Sequence, residues 1–99
     1  GEALAGYLRA AVGHAAQGRT DQSLAAARAA CYLEPDNLLA RFLLARQTLL
    51  VQPEQGRRLL DQVVARAESF PADAEVPCAD ALSVGQIVTA ACLLLGRSP

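Results

Sequence analysis

Few side chains in this sequence have a type and spacing that could support chemistry. The three cysteines, Cys31, Cys78 and Cys92, form no Cys-x-x-Cys pair, and His14 is the only histidine. Metal and nucleophilic centres need several such groups at matched positions. The odd, scattered cysteines do not predict a disulfide framework, and they favour a reducing, cytoplasmic setting. We therefore expect Cys31, Cys92 and His14 to be packing residues.

The acidic residues and glycines give no stronger catalytic pattern. Asp73, Glu75 and Asp80 lie in a polar stretch that also contains prolines, and a solvated loop is the simplest interpretation of it. Three glycines lie in or just after the first helical stretch, without the Gly-x-Gly-x-x-Gly spacing of a nucleotide cradle: Gly6, Gly13 and Gly18. We predict no catalytic residue, no cofactor-binding residue and no metal site in this chain.

The composition favours helices. Hydrophobic residues make up 53% of the chain and aromatic residues only 4%, and Ala and Leu are abundant. Ala and Leu are among the best helix formers, whereas the β-branched and aromatic residues that fill strands are scarce. A chain of 99 residues has the size of one domain. We therefore predict a single all-α domain over residues 1–99.

Charge and hydropathy argue against two classes of partner. The net charge is −1, whereas nucleic-acid binding needs a clustered basic surface. No apolar run approaches the roughly 20 residues that a bilayer requires, and no signal peptide is recognisable. We expect no nucleic-acid partner, no membrane insertion and a cytoplasmic location. Because the chain begins with Gly1 and Glu2 rather than Met, we also expect it to be cut from a longer protein.

Apolar residues at three- and four-residue spacing predict five helices. The first hairpin is predicted over 3–17 and 20–34, the second over 36–51 and 53–70, then a linker over 71–82 and a capping helix over 83–96. The third helix is apolar on most sides, so we expect it to be central. The boundaries follow from turn and cap residues: Gly18, Thr20, Pro35, Asp36, Pro53, Ser83 with Gln86, and Gly96.

The first helices of the two hairpins repeat with a period of 34 residues. Four positions and their counterparts define it: Tyr7, Ala10, Ala11 and His14, then Arg41, Leu44, Ala45 and Thr48. This pattern resembles the tetratricopeptide repeat, a helix–turn–helix unit of about 34 residues. The resemblance implies two antiparallel helical hairpins stacked right-handed, closed by the capping helix. Small residues would let paired helices approach closely: Ala11, Ser23, Ala45 and Gly56.

A narrower resemblance covers roughly residues 18–95. The segments YLEPDNLLARFLLA, GRRLLDQVVARAE and VPCADALSVGQIVTA are similar to the C-terminal tetratricopeptide extension of bacterial CheR-type chemotaxis protein-glutamate methyltransferases. Two positions depart from that family, which usually has Gly where Ala81 stands and Ala where Gly56 stands. The matching positions are Tyr32, Leu33, Pro35, Asp36, Arg58, Leu60, Pro77, Asp80, Leu82, Ser83 and Ile87.

The resemblance implies a non-catalytic protein–protein interaction module that regulates partner or receptor recognition. The parent protein would be an S-adenosylmethionine-dependent protein-glutamate O-methyltransferase. The expected partner is a protein or peptide, such as a chemoreceptor, a response regulator or the methyltransferase domain of the same protein. The alternative is a generic tetratricopeptide adaptor or assembly factor unrelated to methylation.

In stacked hairpins the first helices line a concave groove. We predict that the partner contacts Phe42 and Arg46 above all, because an aromatic ring and an Arg one turn apart are typical interface anchors. Leu49 and Leu50 are equally compatible with the core. Two hairpins and one helix fall short of the three repeats usually needed for stability, so pairing with a second copy also stays open. The full predicted groove is Leu8, Val12, Leu39, Phe42, Arg46, Leu49 and Leu50.

Overall fold

The computed structural model of the chain describes residues 2–76 and 82–97. In these two ranges the chain forms five α-helices and no β-strand, which confirms the all-α prediction. None of the helices described is long and apolar enough to cross a membrane. The helices are α1 Glu2–Ala16, α2 Thr20–Leu33, α3 Leu38–Val51, α4 Pro53–Ala67 and α5 Val84–Leu95.

Several positions used in the sequence interpretation lie outside the described residues. The predicted linker over 71–82 is described only over 71–76 and at Leu82. Of the positions used there, the ones that are not described are Gly1, Pro77, Cys78, Asp80 and Ala81.

Four of the predicted helix boundaries are confirmed by the backbone geometry. Gly18 and Gly96 each have a φ of 75°, the left-handed conformation that glycine adopts readily after a helix. Pro53 occupies the first turn of α4, where its missing N–H costs no hydrogen bond. Ser83 forms the predicted capping box, because its hydroxyl accepts from the Gln86 N–H and the Gln86 side chain accepts from the Ser83 N–H.

Two cap predictions are wrong by one residue. Arg19 rather than Thr20 precedes α2, and its side chain makes no capping bond. Asn37 rather than Asp36 caps α3, where its Oδ1 accepts the Ala40 N–H at 2.9 Å. Asp36 instead accepts a hydrogen bond from Arg66 of α4 at 2.8 Å. Both Asp and Asn can cap a helix, so residue type does not distinguish Asp36 from Asn37.

Helix α4 ends at Ala67, three residues before the predicted end at Phe70. The N–H groups of Glu68, Ser69 and Phe70 donate to carbonyls three residues earlier, as in a tightening 3₁₀-type turn. Pro71 follows directly, and a proline disfavours helical geometry in the residue before it. The apolar pattern of the sequence therefore extends to Phe70, although the α-helix itself ends at Ala67.

Helix α3 is the centre of the molecule. It packs against α1, α2, α4 and α5, which confirms the prediction made from its apolar surface. Most of its apolar side chains, from Leu38 to Ala45, are buried in one continuous core. The other packed pairs are α1 with α2 and α4 with α5. The C-terminal turns of α3 are more open, and this is where the surface described below begins.

Small residues set the separation of the paired helices, as predicted. The Ser23 hydroxyl donates to the Ala11 carbonyl at 2.7 Å, and both residues are buried. A Cβ atom on Gly56 would lie 2.4 Å from Cα of Leu49, which leaves no room for any side chain. Leu60, one helical turn after Gly56, is a large apolar side chain that is fully buried.

The chain after α4 folds back along the start of α5. The N–H of Val84 donates to the Ala74 carbonyl at 2.9 Å, and the N–H of Gly85 donates to the Ala72 carbonyl at 2.8 Å. Val76 donates to the Leu82 carbonyl at 3.1 Å and is itself buried in the core. The irregular connection is therefore anchored to α5 by its backbone, a pairing that the sequence did not predict.

Candidate interaction groove

An open groove of about 470 Å³ lies between three helices. We call it the α1–α3–α5 groove. Its lining residues come from the last two turns of α1, the last two turns of α3 and the end of α5. They are Val12, Ala15, Ala16, Arg46, Gln47, Leu49, Leu50 and Leu94.

The spacing of these residues explains how three separate helices form one surface. Arg46, Leu49 and Leu50 are three and four residues apart, so they share one face of α3. Val12, Ala15 and Ala16 have the same spacing on α1. The two alanines are small, and α1 ends where they lie, so the wall of the groove is low on this side.

The structure places the predicted groove residues in two groups. Val12, Arg46, Leu49 and Leu50 line the groove. Leu8, Leu39 and Phe42 do not line this groove and lie in the core, with Phe42 only 8% exposed. These three residues come earlier in their helices, where α3 is covered by its neighbours, and only the C-terminal turns remain open.

Phe42 and Arg46 do interact, but not as two exposed anchors. The guanidinium carbon of Arg46 lies 5.7 Å from the centroid of the Phe42 ring, within the range of a cation–π contact. The guanidinium of Arg46 therefore contacts the buried Phe42 ring. Arg46 itself is partly exposed and lines the groove. Phe42 contributes to the site by holding the cation.

The exposed part of the groove is apolar. Leu50 is 68% exposed, and Val12 and Leu94 are also exposed. Val51 and Leu93, their neighbours in sequence, add further exposed apolar surface close by. A soluble monomer rarely leaves several large apolar side chains together in water, and such patches mark interaction sites.

Gln47 is the one polar groove residue that sequence reasoning missed among those described. It lines the groove and is only 5% exposed, although its side chain is polar. A lone amide between apolar turns of a central helix was the available signal, and the groove prediction did not use it. Ala15, Ala16 and Leu94 were missed as well, because nothing in their residue types distinguishes them from core positions.

The other candidates for chemistry lie away from the groove or apart from one another. His14 is partly buried and does not line the groove. Within residues 2–76 and 82–97, no three His, Cys, Asp or Glu side chains come together as metal ligands would. Cys92 is buried and Cys31 is partly buried.

Burial raises the pKa of the Cys31 thiol, and the positive charge of Arg41 opposes that rise only in part. A raised pKa means less thiolate, the reactive form, at neutral pH. We expect iodoacetamide to alkylate Cys31 more slowly than it alkylates an unfolded peptide spanning Cys31. The difference should narrow as the pH rises. Peptide mapping by mass spectrometry measures the rate at Cys31 alone, and equal rates at every pH would contradict the burial of this thiol.

Comparison of the chain with protein-family models, curated proteins and solved structures gave no match. The functional assignment therefore depends on the groove and on the sequence resemblance.

Proposed function

We propose that this chain is a non-catalytic protein-interaction module whose partner binds in the α1–α3–α5 groove. The observation that carries the proposal is the exposed apolar surface of Leu50, Val12 and Leu94 beside the cation of Arg46. Covering these side chains removes apolar surface from water, which is the dominant favourable term in protein association.

The helix contacts support a tetratricopeptide type of stacking. Each helix packs against the next one along the chain, and α3 also contacts both α1 and α5. This is the pattern expected when helix pairs stack so that alternate helices share one face. The groove lies among α1, α3 and α5, the helices that would form the concave face of such a stack.

We further propose, on the sequence resemblance, that the module belongs to a chemotaxis-type protein-glutamate methyltransferase. The partner would then be a chemoreceptor, a response regulator or the methyltransferase domain of the same protein. Docking in the groove would regulate which receptor or partner that domain meets. The coding sequence upstream of Gly1 tests this part, because a generic adaptor or assembly factor would lack an S-adenosylmethionine-binding domain there.

Replacing Leu50 with glutamate should abolish partner capture without unfolding the domain. Leu50 is 68% exposed, so the substitution leaves the core intact but puts a charge into the apolar contact. We expect a loss of at least about 2 kcal/mol of binding free energy, the size of an interface hot spot. The measurement is a pull-down from the source cells, with captured proteins identified by mass spectrometry.

Leu33→Glu is the matched control. Leu33 is 43% exposed, lies at the end of α2 and does not line the groove. It should retain the partner that the unmodified chain captures. Equal capture by Leu50→Glu and Leu33→Glu would show that the groove is not the binding surface.

A further inference from the structure

The Gln47 amide lacks a hydrogen-bond partner in the part of the chain that the structure describes. Among residues 2–76 and 82–97, its side chain makes no hydrogen bond, although the residue is 95% buried, as its 5% exposure shows. Every fully shielded side-chain N or O atom in these ranges does have a partner. The Gln47 amide therefore still reaches solvent, and the groove that Gln47 lines is the opening available to it. A nearly buried amide left without a partner is unusual and calls for an explanation.

Among the described residues that line the groove, Arg46 is the only charged one. The salt bridges among the described residues join Arg66 to Asp36 and Arg97 to Asp61, so neither of them neutralises Arg46. The Phe42 ring holds the guanidinium at the groove without cancelling its charge. The groove thus offers a fixed cation beside an amide that has an acceptor and two donors.

The Gln47 amide and the Arg46 cation would interact differently with a helical peptide and with an extended peptide, the two common forms of a bound peptide. An α-helix pairs its own N–H and C=O groups internally, except at its ends. Its main chain would offer no partner to the Gln47 amide, which the bound helix would bury more deeply. An extended segment has free main-chain donors and acceptors, and a side-chain amide can both accept from and donate to them. The positive charge of Arg46 adds a preference for a carboxylate.

We infer that the α1–α3–α5 groove binds an extended acidic peptide segment, whose main chain pairs with the Gln47 amide and whose carboxylate faces Arg46. This inference rests on the proposed function, since it names the kind of partner for the same groove. Apolar side chains of the segment contact Leu49, Leu50 and Leu94, while Val12 and the two alanines bound the opposite wall.

The test uses short peptides with acetylated and amidated ends, so that no terminal charge contributes. The main probe alternates Asp with Ile, because β-branched residues favour extended chains. A second peptide replaces each Asp with Asn, and a third carries N-methyl groups on its backbone. A fourth, of the same net charge, is rich in Ala, Leu and Glu and forms a helix. Binding is followed by NMR titration of the side-chain amide of Gln47 and the methyl groups of Leu50.

We expect the Asp–Ile peptide to bind and to shift the Gln47 amide signals. The Asn and N-methyl versions should each bind about tenfold more weakly, since each loses one polar interaction. Gln47→Leu should weaken binding of the Asp–Ile peptide by a similar factor without lowering the melting temperature of the domain. Leu keeps the volume and removes an unpaired buried amide. The N-methyl peptide tests the same contact on the unmodified protein.

Two outcomes would overturn the inference. If the helical peptide shifts the Leu50 signals and the Asp–Ile peptide does not, the partner is helical, and the groove function stands while this inference fails. If the Asp–Ile peptide binds with equal strength to the unmodified chain and to Gln47→Leu, its main chain does not pair with Gln47. The pull-down with Leu50→Glu tests the proposed function separately from this inference.

Discussion

Replacing Phe42 with alanine should lower the free energy of unfolding by about 3–5 kcal/mol, the usual cost of truncating a buried phenylalanine. Phe42 is 8% exposed and belongs to the core around α3, the helix that contacts all the others. The loss combines the apolar surface returned to water with a cavity that neighbouring helices cannot close. For a domain whose total stability is on the order of 5–15 kcal/mol, this is a large fraction.

Phe70→Ala is the matched control for this effect. Phe70 is 46% exposed and follows the end of α4, so its truncation should cost well under half as much. Chemical denaturation followed by far-ultraviolet circular dichroism gives both free energies. Equal midpoints for Phe42→Ala and Phe70→Ala would contradict the burial of Phe42.

Phe42→Leu separates the two roles of the ring. Leucine restores most of the apolar volume but removes the aromatic face under Arg46. We expect most of the stability to return, while binding of an acidic peptide stays weaker than in the unmodified chain. A cation–π contact is worth about 0.5–2 kcal/mol, so the remaining loss of affinity should be smaller than the loss from Leu50→Glu.

Phe42 and Leu50 show that the sequence pattern predicts the helices but not which of their apolar residues are buried. The five helices and most of their ends follow from local signals, namely apolar period, proline, glycine and the capping box of Ser83. Helix α3, however, is apolar on most sides, so its periodicity does not tell which side a neighbour covers. Phe42 and Leu50 look alike in the sequence, and their burial differs because the neighbouring helices leave one side of the last turns of α3 uncovered.

Gln47 illustrates a second limit. Polar residues in a helix normally face water, and the sequence pattern assigns Gln47 no role. Its burial follows from contacts between segments distant in sequence, which leave no periodic trace. The same holds for the backbone pairing of residues 72–76 with 82–85, since main-chain hydrogen bonds do not depend on residue type. Four of the seven predicted groove residues line the groove, because the repeat pattern identified the right helices but not their open turns.

Gly56→Ala should destabilise the domain by about 1–3 kcal/mol, the range expected for overpacking a tight core. The new Cβ would lie 2.4 Å from Cα and 2.5 Å from the backbone N of Leu49. A backbone cannot rotate away as a flexible side chain can, so α3 and α4 must separate. The better helix propensity of alanine, worth up to about 1 kcal/mol, offsets only part of this cost.

Gly13→Ala provides the control, with the opposite sign expected. Gly13 is also inside a helix, but a Cβ there would meet no atom within 4 Å. The substitution should therefore stabilise the domain by about 0.5–1 kcal/mol through helix propensity alone. Denaturation midpoints of the two variants should move in opposite directions, and a stabilised Gly56→Ala would contradict the close approach of α3 and α4.

Gly56 also links the packing of α3 against α4 to the groove. Its closest neighbour, Leu49, is also one of the residues that line the groove. Any shift of α3 that relieves the crowding of the new methyl group must also move Leu49. It must move the adjacent Leu50 and Arg46, about one helical turn earlier, as well. We therefore expect Gly56→Ala to weaken peptide binding even under conditions where the variant is fully folded. Gly13→Ala, which moves nothing in α3, should bind as the unmodified chain does.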